Sequence, residues 1–300
     1  MEEKYVCVVG GTNIDICGTP FLYLNKNDSA PGRAYVSAGG VARNISESLS
    51  RLGVKVKFLT VIGKDSYAET IKYNCEELNI DLSEALQVES NTSMYLYLTD
   101  EKGEMQYAVS DMEILKHLSC EYLIEKIDVL NNAAACVIDT NLSKETLNFL
   151  MDNVKSPLFL DPVSTQKAEK LVEIMHNIHT FKPNIIEAEI VSKIKIINED
   201  TLKKAAIVLM EKGVKDIFIS LGAFGIYYFN KNVSGFAPSV AKDIVNTTGE
   251  GDKTTATLVW AFINGLNIRQ AAVAGMKAAA ICLSDTKTVS DKLTDKILLD

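Results

Sequence analysis

SAGGVARNISESLSRLGVKVKFLTVIG, residues Ser37–Gly63, holds in one stretch the unit from which the fold is built. Two glycines, Gly39 and Gly40, precede an amphipathic helical stretch at Val41–Leu52. After Gly53 the pattern changes to a short β-rich apolar run at Lys57–Ile62, which reads as a buried strand. Asn44 falls one turn inside the helix. Glycines let a backbone approach a ligand closely, and an amide side chain both donates to and accepts from hydroxyls. A loop-to-helix junction also uses glycine for ordinary reasons, so both readings stand on this stretch alone.

The same alternation runs along most of the chain. Tyr5–Val9, Ala135–Asp139, Pro157–Leu160 and Asp216–Leu221 read as further buried strands. Helical patterns fall at Tyr67–Leu78, Ser143–Val154, Ala168–Met175 and Asp200–Glu211, and two Ala-rich helices, Lys253–Gly265 and Ile268–Ser284, follow. Strands alternating with helices predict an α/β fold, a doubly wound and mostly parallel sheet with helices on both faces. Two segments interrupt it. Ile16–Val36 is rich in glycine and proline and ends in a strand-like run, Arg33–Val36. Thr92–Val109 reads as a hairpin, MYLYLT and EMQYAV flanking a turn near Asp100–Gly103. They predict a small β-sheet projecting from a single domain over 1–300, its segments at about 16–36 and 92–110.

Of the 300 residues, 47% are hydrophobic and 23% charged, enough apolar material for a sizeable core, which excludes a disordered or fibrous chain. The net charge is −8 and no basic block stands out, which argues against a nucleic-acid partner. Cys7, Cys17, Cys75, Cys120, Cys136 and Cys282 show no zinc or redox spacing and read as reduced thiols. MEEKYVCVVGG has no signal-peptide character, and no apolar run approaches the roughly 18 residues of a membrane span. A cytoplasmic protein without a membrane partner is expected.

The first strand ends in VVGGTNID. Its Gly10–Gly11 lacks the spacing and the following helix of a dinucleotide-binding turn. Asp15, with Asn13 beside it, falls just past a strand's carboxyl end, where open α/β sheets bind ligands. There a carboxylate accepts from two neighbouring hydroxyls, as a sugar demands, although a turn-forming aspartate fits as well. VNTTGEGDKTTATLVWAFING, Val245–Gly265, opens a long helix from a Thr/Gly loop. The N–H groups of Gly249–Asp252 would cradle an anion, and Asp252 could take a proton from a hydroxyl or simply cap the helix. In FKPNIIE, Asn184 and Glu187 suit magnesium waters or phosphate oxygens. In SLGAFGIYYF, Ser220, Gly222 and Gly225 are turn residues or a nucleotide's resting place. His117, His176 and His179 form no metal pattern, and neither G-x-S-x-G nor H-E-x-x-H occurs.

Together and in this order, these pieces resemble the ribokinase-like (PfkB) family of sugar and nucleoside kinases over essentially the whole chain. Ala38–Gly63 carries most of the likeness, with the double glycine, Asn44, Ser46, Gly53 and Gly63 at the family's spacing. The resemblance implies that the small sheet is a lid over the sugar site. It implies that Asp15, Gly39, Gly40 and Asn44, with Asn13, hold substrate hydroxyls. Asn184 and Glu187 would serve magnesium indirectly and the phosphates, Ser220, Gly222, Gly225 and Thr248 the nucleotide. Gly249, Glu250 and Gly251 would form the anion hole, with Asp252 as catalytic base. ATP is the implied phosphoryl donor, Mg2+ the cofactor, and a nucleoside or sugar the acceptor. A monovalent cation is possible, and the exposed lid edge suits a homodimer.

SDMEIL at Ser110–Leu115, DPVSTQK at Asp161–Lys167 and Asn246 in VNTTG resemble one branch of that family, which phosphorylates the ribose 5′-hydroxyl of the C-nucleoside pseudouridine. Ser93, Asp111 and Lys167 are then substrate-site candidates, though Asp111 also suits a helix cap and Lys167 a solvated surface. The chain departs from the family at Glu250 and Lys253, where small or apolar residues are usual. A glutamate in an anion hole opposes a phosphate, and Lys253 is a nearby compensating charge. Kinases of another nucleoside or a free sugar (ribose, fructose, adenosine) share the scaffold. A nucleoside-binding protein with impaired catalysis fits the departure.

Overall fold

Val6–Val9 is buried on both faces, which places it in the middle of a sheet covered on each side. In the computed structural model, which describes residues 4–25, 27–241, 249–285 and 288–299, the strands are β1 (Val6–Val9), β2 (Asn13–Pro20), β3 (Gly32–Gly39), β4 (Val56–Leu59), β5 (Val61–Ile62), β6 (Ile80–Asp81), β7 (Leu86–Gln87), β8 (Met94–Thr99), β9 (Met105–Asp111), β10 (Ala135–Asp139), β11 (Leu158–Asp161), β12 (Ile178–Phe181), β13 (Val214–Ser220), β14 (Ile226–Phe229) and β15 (Ser234–Ala237). The large sheet runs β15-β14-β13-β12-β11-β10-β1-β4-β6. It is parallel from β6 to β13, and β14 and β15 close it as antiparallel strands.

The alternation of side chains along β1 divides the core in two. Val6 and Val8 face a layer that holds Ile45 and Leu49 of the helix Val41–Arg51 and Trp260 of the helix Glu250–Ile263. Cys7 and Val9 face the opposite layer, with Leu147 and Leu150 of Lys144–Asn153 and Leu202 and Leu209 of Glu199–Glu211. Helices therefore cover both faces, as the sequence predicted. Among the described residues no helix is long and apolar enough to cross a membrane, and no disulfide joins the six cysteines.

The small sheet has the order β3-β2-β8-β9. β2 and β3 pair from Asn13 with Gly39 to Pro20 with Gly32, so the excursion begins at Asn13 rather than Ile16. Asp15 thus lies within a strand and not in a turn beyond β1, which corrects the turn reading. Lys57–Ile62 is broken at Thr60: β4 joins the large sheet and β5 pairs separately with β7. Ala168–Met175 is not a continuous helix but a helical turn, Thr165–Ala168, followed by a tighter one, Glu169–Leu171. Ala168, Leu171, Ile174 and Met175 are its buried residues, so the apolar pattern that suggested one helix is kept by two short turns. The Ala-rich helix starts at Glu250 instead of Lys253.

Candidate active site

Five parallel strands end on one edge in polar residues. Gly10–Gly11 follows β1, Asp139 ends β10, Asp161 ends β11, Lys182–Asn184 follows β12 and Ser220 ends β13. The carboxyl edge of an open α/β sheet is where ligands bind. There, Asp161, Lys182, Asn184, Glu187, Ser220, Gly222 and Gly249–Asp252 line a cavity of about 320 Å³. A larger cleft of about 550 Å³ lies at the amino ends of β1, β4 and β6, lined by Tyr5, Lys55, Val56, Lys57, Asn79 and Asp81. Its Lys57 is paired with Asp81 at 2.8 Å, and it holds none of the candidate residues.

Asn184 caps the helix Ile185–Ser192. Its side chain accepts from Glu187 N at 2.9 Å, and Glu187 Oε2 accepts from Asn184 N at 2.8 Å. This capping box fixes both side chains at the cavity wall, leaving Glu187 Oε1 and Asn184 Nδ2 without a partner among the described residues. Burial raises the Glu187 pKa, opposed by the Asn184 backbone bond and the Lys182 charge. Among the described residues no three carboxylate, His or Cys side chains converge on a metal. Two fixed oxygen-bearing side chains fit a magnesium ion that keeps its waters and its phosphate ligands.

Gly249, with φ 78°, starts the helix Glu250–Ile263 in the left-handed region. A Cβ there would strike Thr288, so the position needs glycine. Behind this turn Asp252 is buried, and its Oδ2 accepts from Asn44 Nδ2 at 2.9 Å. Burial, and then the neighbouring Asp161, push the Asp252 pKa up to about 7. The Asn44 bond, Lys182 and Lys253 pull against them. Asp161 is itself fixed by Thr255 Oγ1, which donates to its Oδ2 at 2.7 Å.

On the other side of Asn44 lies the root of the small sheet. Arg43 Nη1 donates to Asn44 Oδ1 at 3.1 Å, so the Asn44 amide turns its nitrogen toward Asp252. Arg43 is held in turn by Asn74 and by Glu47 at 2.6 Å. Asn13 Nδ2 donates to Asp15 Oδ1 at 2.6 Å. Burial raises the Asp15 pKa, opposed by Asn13 and the Arg43 charge. A Cβ on Gly39 would overlap the Asp15 carboxylate, and one on Gly40 would lie 2.6 Å from Gly11 O, so both glycines allow close packing here. Ser93 is buried beside them, its Oγ without a hydrogen-bond partner among the described residues while its carbonyl accepts from Ile14 N.

The remaining candidates divide. Lys167 Nζ bonds Asn141 Oδ1, and Asn141 donates to Asp139, which also accepts from Gly11 N at 3.1 Å. Lys167 therefore belongs to a network at the carboxyl edge rather than to a solvated surface. Burial pushes Asp139 up to about 6. Asp111 ends β9, paired with Met94, and accepts from Glu113 N at 3.5 Å. Ser220 and Gly222 line the cavity. Gly225 is not among its lining residues: a Cβ there would overlap the Ala237 backbone, which makes it a turn glycine. Thr248 and Asn246 lie outside the described residues. Sequence reasoning missed Asp161, Lys182, Asp139, Asn141 and Arg43 as site residues. Lys182 is buried in the cavity wall, and its place in FKPN beside Asn184 was the available signal.

A doubly wound sheet, a glycine turn that opens a helix at the sheet's carboxyl edge and the buried Asp252 behind it suit a phosphotransferase acting on a sugar or nucleoside. The comparisons agree. The model of the pfkB family carbohydrate kinases matches residues 3–295. Pseudouridine kinase of Escherichia coli is 33% identical over 286 residues, 94% of this chain and 91% of its own. A sugar kinase of the same organism, described as uncharacterized, is 32% identical over 93% of this chain and 78% of its own. The crystal structure of a proposed sugar kinase from Clostridium perfringens superposes with a TM-score of 0.89 at 30% identity, covering 100% of this chain and 95% of that one. The chain belongs to the pfkB family of carbohydrate kinases.

Proposed function

We propose that the protein transfers the γ-phosphoryl group of ATP to the 5′-hydroxyl of pseudouridine, giving pseudouridine 5′-phosphate and ADP. The observation that carries the chemistry is the Asn44–Asp252 bond, because it joins the acceptor side to the cradle. Asp252 Oδ1 takes the hydroxyl proton, the freed oxygen attacks the γ-phosphorus, and the bond to the bridging oxygen of ADP breaks. The N–H groups of Gly249, Glu250 and Gly251 meet the charge that grows on the phosphoryl oxygens, with Lys182 beside them. Magnesium bound with ATP neutralises phosphate charge, and Asn184, Glu187 and Asp161 would hold its waters.

The choice of acceptor rests on the other wall. Asp15, Asn13, Gly39, Gly40 and Asn44 suit ribose hydroxyls. Ser93 Oγ is a buried polar group with no partner among the described residues, which is costly unless a ligand completes it. Lys167 and Asn141 offer a donor and an amide to a base with carbonyl and N–H edges, and Asp111 stands at the end of β9 nearby. The likeness to pseudouridine kinase supports this acceptor, and the likeness to sugar kinases supports a free sugar as the second reading. The single domain, with the small sheet as its lid, would work in a reducing cytosol that keeps the six thiols free. ATP consumption with magnesium, measured on pseudouridine beside uridine, adenosine, ribose and fructose, tests the reading. Turnover on pseudouridine alone is expected. Preference for ribose or fructose would replace the acceptor, and nucleoside binding without turnover would replace the reaction.

A further inference from the structure

Lys253 occupies the first turn of Glu250–Ile263, where the backbone N–H groups already carry partial positive charge, and it is wholly buried. A cation at this end of a helix is unfavourable, and removing an ammonium from water adds a further cost. Among the described residues no carboxylate lies within ion-pair distance of it; its side-chain hydrogen bond runs to Cys282 Sγ, at 2.8 Å. Burial keeps that thiol protonated, against the pull of Lys253, and the thiol donates onward to Thr288 O at 3.8 Å. The ammonium is therefore not cancelled by a thiolate. Its charge pulls on the buried Asp252 carboxylate of the same turn without an ion pair, and the stability of the helix start alone does not account for it.

Its position does. A Cβ built on Gly249 would lie 3.4 Å from Lys253 Nζ, so the ammonium stands directly behind the first residue of the cradle. From the cavity side Lys182 Nζ would lie 3.3 Å from a Cβ on Gly251. The cradle is thus held between two lysines, one facing the cavity and one sealed behind the backbone. Glu250, on the same turn, lines the cavity and brings the opposite charge.

We infer that Lys253 is a positioning residue for charge: its tethered ammonium holds positive potential at Gly249–Asp252 for the transferring phosphoryl group, offsets Glu250, and makes a monovalent cation from solution unnecessary. The inference rests on the reading of Gly249–Asp252 as the phosphoryl cradle. Charge fixed in a water-excluded site acts on the transition state without reorganising.

The test begins with the intact protein. Its turnover should change less than about twofold when potassium is replaced by tetramethylammonium; a dependence above roughly tenfold overturns the inference. Lys253→Met keeps the volume and should lower kcat by roughly ten- to a hundredfold, with the KM for the acceptor nearly unchanged. Lys253→Ala opens space, and ammonium or methylammonium should restore part of its kcat. Full activity of Lys253→Met, or a folded Lys253→Ala whose lost turnover no amine restores, overturns it. If neither variant folds, the cation exchange on the intact protein decides. Failure of the kinase reading looks different, because the intact protein then phosphorylates no acceptor. Inorganic phosphate binding to the intact protein and Lys253→Met then decides, with weaker binding by the variant expected and equal binding overturning the inference.

Discussion

Asn44 Nδ2 donates to Asp252 Oδ2 at 2.9 Å, joining two helices whose contacting residues are 208 positions apart in the chain. Because Arg43 holds the Asn44 carbonyl, the amide has one orientation, and it occupies one oxygen of the carboxylate. Asp252 Oδ1 has no partner among the described residues and in the proposed reaction is the oxygen that would meet an acceptor hydroxyl. One side chain thereby sets the distance between the wall that suits the sugar and the cradle that suits the phosphate.

Replacing Asp252 by Asn keeps the shape of that junction and removes the carboxylate proposed as the base. Asp252→Asn should lower kcat by roughly 10²–10⁴-fold while leaving nucleoside affinity within a few-fold, since a general base acts in the transition state. Steady-state kinetics with calorimetric nucleoside binding measure the two separately. Parallel loss of binding and turnover would make Asp252 a structural cap.

The pH profile follows from the buried carboxylate. Asp252 must be ionised to accept a proton, and its pKa is pushed up to about 7. Turnover should therefore fall below neutrality, to roughly a tenth of its plateau at about pH 6, and level off above about pH 8. The Asn44 bond favours the ionised form, so Asn44→Ala should move the midpoint to higher pH. An unmoved or lowered midpoint would remove Asp252 as the titrating group.

What the sequence made legible was local. Gly39–Gly40 before an amphipathic helix, the β-rich runs and the Thr/Gly loop before Asp252 each signal through neighbours a few residues apart. The unread part depends on contacts between distant segments. Asp161 reaches Thr255 across 94 positions, and Asp139 meets Gly11 across 128. Neither carboxylate has a local pattern to mark it. FKPNIIE was read for its chemistry, which hid β12 and the short helix after it. The same Asn184 and Glu187 prove to be a capping box, so one pair of residues starts a helix and faces the cavity.

Gly39 tests the acceptor wall by shape alone. Its backbone is ordinary, so Gly39→Ala is not strained in itself, but the added methyl would overlap the Asp15 carboxylate. Asp15 would have to turn away from Asn13. The expected result is a KM for the nucleoside raised by roughly tenfold or more, with the KM for ATP within a few-fold. An unchanged acceptor KM would take Asp15 out of the substrate site.

The small sheet leaves Tyr35, Val36, Met105, Tyr107 and Val109 exposed, Tyr107 at 71%. An apolar strand surface of this kind suits association with a second copy. A homodimer through the small sheet is expected in size-exclusion chromatography with light scattering. Tyr107→Lys with Val109→Glu should yield monomers, and a dimer that persists would have another interface.

Glu250 separates stability from activity. It stands at the first helical position, where an acidic side chain gains about 0.3–1 kcal/mol from the helix N-terminus. The same charge lines the cavity that would receive the transferring phosphate. Glu250→Ala should therefore lower Tm by roughly one to three degrees and raise kcat/KM for ATP by about two- to tenfold. Differential scanning calorimetry and steady-state kinetics on the same preparation compare the two effects. A fall in both would mean that the carboxylate assists the reaction, by accepting from a group on the nucleotide or by orienting a water of its magnesium. In that case the pairing of Glu250 with Lys253 in one helical turn would be a working part of the cradle rather than a tolerated departure.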